Sequence, residues 1–299
     1  MRILSTALAS MLTINSLTGI NFSKNTTDFY LKDSNIYDES IYENKRHSLL
    51  DVPRFFKNAI SHSENGLSTK EYNWYFQPRK DKNPPLPPKE TASFLPKYSC
   101  YHLGDTSKKV LYLTFDEGYE NGYTGPILDV LKKHKAKAAF FVVKPYINSN
   151  EDLIKRMVNE GHLVCNHSSH HLSMASITNT EKFNSEFSEV EEAFGKVTGG
   201  KKMPKYFRPP MGKYSELSLY NTKQLGYKTI FWSFAYMDWE INKQPSHEFA
   251  KKRIMDKTHN GAIVLLHAVS KTNAEILDDV ITEWKNQGYE LKSLDELPK

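Results

Sequence analysis

Val110-Leu111-Tyr112-Leu113-Thr114-Phe115, followed at once by Asp116-Glu117-Gly118, is the stretch on which the fold turns. Its first six residues form a nearly continuous apolar run of strand length, the pattern of a strand covered on both faces. Downstream, Ile127, Leu128, Val130 and Leu131 fall at helical spacing, with Thr124 and Pro126 as start signals. The alternation then continues with a strand at 138–143, a helix at 151–160 stopped by Gly161, and a strand at 162–165. Thr178 and Glu181 stand in capping-box spacing ahead of a long helix. On that helix Phe183, Phe187, Val190, Phe194 and Val197 make one apolar stripe, which reads as core. Further strands are expected at 206–207, 227–234, 262–266 and 289–294, with helices near 215–225, 247–258 and 274–287. Seven strand–helix units predict an α/β fold: a distorted, incomplete (β/α)7-type barrel, rather than an open sheet, carrying an N-terminal extension.

Upstream of the barrel the chain changes character. Asn83-Pro84-Pro85-Leu86-Pro87-Pro88 is a stiff, extended stretch that marks a domain edge or a wrapping segment. Residues 21–70 are rich in Asn, Ser, Asp and Lys and read as a polar spacer, with a short helix near 52–60. Met1-Arg2 followed by the apolar run from Ile3 to Ile14 has the shape of a secretory signal or membrane anchor over residues 1–20, although no A-x-A site follows. The expected organisation is thus 1–20 signal or anchor, 21–70 spacer, 71–108 extended lead-in and 109–299 barrel domain.

Composition narrows the class. With 299 residues, 39% hydrophobic and 25% charged, the chain is no multi-span membrane protein, collagen or wholly disordered polymer. Its 40 Lys+Arg against 35 Asp+Glu leave a net charge of +5, which suits an anionic wall polymer. The lysines are scattered rather than clustered, so nucleic acid is not implied. Cys100 and Cys165 lie outside any CxxC and cannot make a disulfide framework; whether they pair is not legible from spacing.

The residues that follow each predicted strand carry the chemistry. The first strand ends in Asp116-Glu117-Gly118 and the third in Asn166-His167-Ser168-Ser169-His170-His171. The fourth ends in Arg208-Pro209-Pro210-Met211-Gly212, the fifth runs into Asp238-Trp239, and the sixth ends in Leu265-Leu266-His267. Taken singly, each has a plain reading: a turn, a rigid bend, a satisfied core histidine, a packed tryptophan. Their recurrence at the same place in successive units is another matter, because barrels build their sites where strands end. Carboxylates, histidines and an arginine on one mouth are the composition of a metal-assisted hydrolase.

In order and spacing these segments resemble the five motifs of the polysaccharide deacetylases, the NodB-homology carbohydrate esterases of family 4, over about residues 73–297. Gly118-Tyr119-Glu120-Asn121-Gly122-Tyr123-Thr124, Phe231-Trp232-Ser233, and the run from Leu265 through Asn273-Ala274-Glu275 further resemble the delta-lactam-biosynthetic de-N-acetylases. Asn73-Trp74-Tyr75-Phe76 and the proline stretch are similar to the segment preceding the domain in that subfamily.

The resemblance implies that His167 and His171 bind a divalent metal, with zinc the expected one. It implies Asp116 as general base, Arg208 as the group that holds it charged, and His267 as general acid oriented by Asp238. The backbone N–H of Met211 would stabilise the oxyanion, and Trp239 and Tyr119 would join Met211 along the substrate groove. The general family has a second aspartate as third metal ligand; here the position is Glu117, expected to ligate directly or through a water. His170 is expected to be structural, and Cys165 buried and inert.

The implied substrate is N-acetylmuramic acid in a peptidoglycan strand, deacetylated to acetate and an amine that leads to muramic-δ-lactam in spore cortex. The alternatives are deacetylation of N-acetylglucosamine in wall glycan or chitin, and a non-catalytic wall-glycan-binding module. The resemblance and the N-terminus together imply an exported, extracytoplasmic monomer that meets the membrane only through its N-terminal segment.

Overall fold

In the computed structural model, which describes residues 66–79 and 83–298, the quoted stretch is the strand with the most partners in a curled parallel sheet. The signal or anchor, most of the spacer and the short helix near 52–60 lie outside the described residues. In chain order the strands are β1 (Tyr72–Asn73), β2 (Cys100–Tyr101), β3 (Val110–Glu117), β4 (Ala138–Val142), β5 (Leu163–Asn166), β6 (Tyr206–Phe207), β7 (Lys213–Tyr214), β8 (Lys228–Ile230), β9 (Ala262–His267) and β10 (Glu290–Leu291). The helices are α1 (Thr124–His134), α2 (Lys144–Ser149), α3 (Glu151–Asn159), α4 (Thr180–Val197), α5 (Glu216–Gln224), α6 (His247–Lys257) and α7 (Lys271–Asn286).

The seven expected strands all form, in the order β10-β3-β4-β5-β6-β8 with β9 also paired to β3, and β2 adds an eighth beside β8. One further rung, Phe234 with Val264, brings the chain after β8 against β9, so the sheet curls back toward its start. This is the incomplete barrel the alternation predicted. Among the described residues no helix is long and apolar enough to cross a membrane.

Pleating of β3 sorts its side chains. Leu111, Leu113 and Phe115 pack into the core shared with Ile127, Leu128 and Leu131 of α1 and Ile276, Leu277, Val280 and Ile281 of α7. Val110 and Tyr112 face the barrel interior with Phe141, Ile230, Phe231 and Trp232. The stripe expected on α4 is buried throughout and closes over β5 and β6.

Several boundaries move for local reasons. The fifth expected strand shortens to Lys228–Ile230 because the chain then leaves β2 to meet β9, where Ser233 N–H donates to Ile263 O at 3.0 Å. The last strand stops at Leu291, and Ser293 caps a tight turn at Leu294–Glu296 instead. The cap of α4 is Asn179, whose side chain accepts from Lys182 N–H, rather than Thr178. Ser270 starts α7 at Lys271, ahead of the expected 274, which puts Asn273 in its first turn.

The lead-in belongs to the core. β1 pairs antiparallel with β7, and Trp74 N–H donates to Gly212 O at 2.7 Å. The Trp74 ring is 1% exposed, stacks on Phe231 at 4.2 Å, and donates its indole N–H to Trp232 O at 3.0 Å. Gly212, at φ +65°, accepts this cover because a Cβ there would meet Trp232 at 3.0 Å and Trp74 at 3.1 Å. Trp74→Ala should therefore lower the unfolding free energy by about 3–5 kcal/mol, the range for truncating a buried large aromatic. Urea titration of the full chain checks it, and a loss near zero would make the lead-in a mere wrapping.

Candidate active site

The last turn of β3 aims Thr114 and Asp116 inward, and there they meet Arg208, which directly follows β6. Arg208 is fully buried and its guanidinium is spent within the site. Nη1 donates to Asp116 Oδ1 at 2.7 Å, Nη2 to Thr114 Oγ1 at 2.9 Å, and Nε to Ile230 O at 3.0 Å. The guanidinium carbon lies 4.2 Å over the Phe141 ring, a cation–π contact in a dry setting. Burial works against a charge on Asp116, but Arg208, His167 and His267 outweigh it and hold the carboxyl below its ordinary range.

The two-histidine loop leaves β5 through a chain of local bonds. Asn166 Oδ1 accepts Ser168 N–H at 2.9 Å, and Ser168 Oγ accepts His171 N–H at 3.0 Å. Ser168 at φ 67° and His171 at φ 54° take the left-handed backbone that non-glycine residues avoid. His170 points outward. Its ring Nδ1 lies 2.8 Å from buried Glu186 and its N–H donates to the same carboxylate at 2.9 Å, anchoring the loop to α4.

Inside the loop the rings of His167 and His171 stand 4.9 Å apart. His167 Nδ1 donates to Arg208 O at 2.8 Å, so its Nε2 carries the lone pair, 3.7 Å from Asp116 Oδ2. Burial pushes both imidazoles toward the neutral form, His171 to about 3. Two neutral imidazoles with one ring locked by a backbone carbonyl are a donor set suited to a divalent metal. Cys165 is buried, free and held as a thiol, as expected, and Cys100 is free as well.

Across the mouth, His267 ends β9. Its Nδ1 donates to Asp238 Oδ1 at 2.7 Å and its backbone N–H to Asp238 Oδ2 at 2.9 Å, which turns Nε2 toward the groove. Burial opposes protonation of this ring, but the Asp238 charge and hydrogen bond prevail and raise its pKa. Trp239 sits edge-on to His267 with ring centroids 5.4 Å apart, and Tyr119 is half-buried in the loop after β3. Met211, at φ 58°, forms the tight turn at Pro210–Gly212.

Glu117 is the residue that the structure does not bring to the histidines. The pleat that sends Asp116 inward sends Glu117 to the opposite face, beside Phe115 and Tyr146. Its carboxyl is fully buried with both oxygens lacking a hydrogen-bond partner. Burial first, then the charges of Glu120 and Asp116, push its pKa well above the ordinary value and favour the neutral acid. Glu117 therefore does not stand with His167 and His171, contrary to the expected metal-ligand role. Sequence reading also passed over Thr114, although its place two residues before Asp116 on the same strand face signals it.

A family model described as polysaccharide deacetylase matches residues 103–230. The chain belongs to the polysaccharide deacetylase family. The peptidoglycan-N-acetylmuramic acid deacetylase PdaA of Bacillus subtilis is 47% identical to it over 225 residues, 75% of this chain and 85% of PdaA. The solved structure of that protein, described as a family 4 carbohydrate esterase, matches with a TM-score of 0.74 at 45% identity, covering 77% of this chain and 98% of its own. A peptidoglycan-N-acetylglucosamine deacetylase of Bacillus cereus is 32% identical over 196 residues, 64% of this chain and 89% of that one.

The position of Glu117 yields two expected outcomes. In calorimetric titration with zinc, Glu117→Gln should bind like the parent, whereas loss of even an outer partner of a ligand typically costs ~10–100-fold. Above its ordinary pKa of 4.5 the unfolded chain releases the Glu117 proton while the folded chain keeps it, so this group makes folding less favourable as pH rises toward the raised value. Glu117→Gln removes that term. Its melting temperature should gain on the parent as pH increases from about 4.5, and a constant or shrinking gap would place the carboxylate in a charged, satisfied setting.

Proposed function

We propose that this enzyme removes the acetyl group from N-acetylmuramic acid in peptidoglycan strands, on the outer side of the cytoplasmic membrane. The observation that carries the reaction type is the opposed pair of acid–base groups on one mouth, Arg208–Asp116 at 2.7 Å and Asp238–His267 at 2.7 Å, around two neutral histidines. The choice of sugar is supported by the similarity to PdaA over 85% of that protein.

Asp116, charged and immobilised by Arg208, accepts a proton from the water that attacks the acetamide carbonyl. The backbone N–H of Met211, on its tight turn, is assigned to the developing oxyanion, where a fixed donor stabilises charge without reorganising. His267 delivers a proton from Nε2 to the departing amine, and Asp238 keeps the ring protonated and oriented until then. Trp239 and Tyr119 wall the groove around the sugar. His167 and His171 would hold the divalent metal, zinc by ligand type, which when bound supplies carbonyl polarisation and a more acidic water. The products are acetate and a free amine able to close to muramic-δ-lactam, the chemistry of spore cortex.

Mass spectrometry of glycan fragments incubated with the protein separates the readings. Acetyl loss from muramic residues is the expected result; loss from glucosamine residues alone, or none, would overturn it. Acid and base set the pH profile. Asp116 must be charged and His267 protonated, so kcat/KM should fall on the alkaline side as His267 loses its proton. Asp238→Asn removes the charge that raises the His267 pKa, and the alkaline limb should move to lower pH; an unmoved limb would take His267 out of the acid role.

A further inference from the structure

The network behind His267 is larger than the pair legible in the sequence. Asp238 Oδ2 accepts the His267 backbone N–H at 2.9 Å and also a carboxamide N–H of Asn273 at 2.6 Å. The same Asn273 nitrogen donates to His267 O at 3.2 Å, while Asn273 Oδ1 accepts the hydroxyl of Tyr236. Asp238, Asn273 and Tyr236 are all buried. Chemistry settles which way the amide faces, because the atoms around its nitrogen are acceptors and the phenol donates to its oxygen. Burial, then the Asp238 charge, keep that phenol protonated and able to donate.

A second clamp ties the same two loops together. Gln244 Nε2 donates to Asp238 O at 2.9 Å and Glu240 O at 3.0 Å. Its Oε1 accepts the Ser270 hydroxyl at 2.6 Å and Thr272 N–H at 3.2 Å. The helix start at Ser270 uses only the backbone N–H of Asn273. The loops and the helix cap therefore have their own supports, and every bond of the Asn273 carboxamide goes to the network behind His267: the Asp238 carboxylate, the His267 carbonyl and the Tyr236 hydroxyl.

We propose that Asn273, oriented by Tyr236, is a positioning residue for the proton donor, holding the Asp238 carboxylate in the one orientation from which each oxygen serves His267. It acts through Asp238 and touches no reacting atom. A buried carboxylate that loses one of three donors is left with unmet hydrogen-bond demand on Oδ2, where only the His267 backbone N–H remains, and is held less firmly. A carboxylate held less firmly aligns the imidazole Nδ1–H less well, and Nε2 then loses its fixed aim at the leaving amine. This inference rests on the deacetylase reading, in which His267 is the acid.

The test uses the full chain, with Asn273→Leu, which keeps the volume without the donor, and Tyr236→Phe, which removes only the hydroxyl that orients the amide. Two readouts are taken: kcat and KM for acetate release from muramic-containing glycan, and the low-field proton NMR signal of His267 Nδ1–H, assigned by its loss in His267→Gln. A positioned general acid contributes ~100–10,000-fold, so Asn273→Leu should lower kcat by about 10-fold or more with KM within about twofold. Tyr236→Phe should lower kcat in the same direction by less, and in both variants the low-field signal should shift or broaden. Unchanged kcat and signal in both variants would overturn the proposal. So would a fall in kcat with the signal intact, which would mark Asn273 as ordinary packing. If Asn273→Leu fails to fold, Tyr236→Phe carries the test alone. If the parent releases no acetate, the deacetylase reading fails, while the NMR signal still reports whether Asn273 positions the pair.

Discussion

One buried guanidinium organises this molecule. Arg208 joins four segments at once: Asp116 and Thr114 on β3, the Ile230 carbonyl at the end of β8, the aromatic floor from β4, and, through its own backbone carbonyl, the His167 ring after β5. A cation with no exposure is costly unless every donor is used, and removing one partner of such a pair typically costs about 3–5 kcal/mol. The curl of the sheet is what brings these partners together, since β3 and β6 are not neighbours in it. Fold and site therefore constrain each other through the same few bonds.

From that anchor the site separates its titrating groups by environment. Asp116 is surrounded by positive or protonatable groups and stays ionised in spite of burial. His267 has a carboxylate at its back and stays protonated longer than a free imidazole. Burial first of all drives His167 and His171 neutral, helped by the charges of Arg208 and His267 at His167 and by His167 at His171. A charged carboxylate, an imidazole of raised pKa and two neutral imidazoles on one mouth follow from placing equivalent residue types against unlike neighbours.

The loops that hold these groups are strained where they matter. Ser168, His171 and Met211 all take left-handed backbone, at a cost of order 1–3 kcal/mol each. The compensation is local and polar: Asn166, Ser168 and Glu186 tie down the histidine loop, and the bond from Trp74 to Gly212 closes over the turn that carries Met211. Loops built this way hold their geometry only while the scaffold over-determines them, and the lead-in strand β1 is part of that scaffold.

By itself the sequence determined the strand–helix alternation and the polar residues at the strand ends, because both are written locally. Apolar runs of strand length, helical stripes and the residue after each strand need no knowledge of distant partners. The incomplete barrel and the identities of Asp116, His167, His171, Arg208, Asp238 and His267 were legible for that reason. Tertiary structure decided what depends on direction and on distant contacts. Adjacent carboxylates read as one motif, yet a two-residue pleat put Asp116 in the mouth and Glu117 against Tyr146. Trp74 lay in a stretch that read as extended, and only its stacking on Phe231, 157 positions downstream in chain order (231 − 74), made it core. Asn273 sat in a helix start like many others until the fold brought its carboxamide to Asp238. A side chain's partners are fixed by where separate segments meet, and that meeting is a property of the folded chain alone.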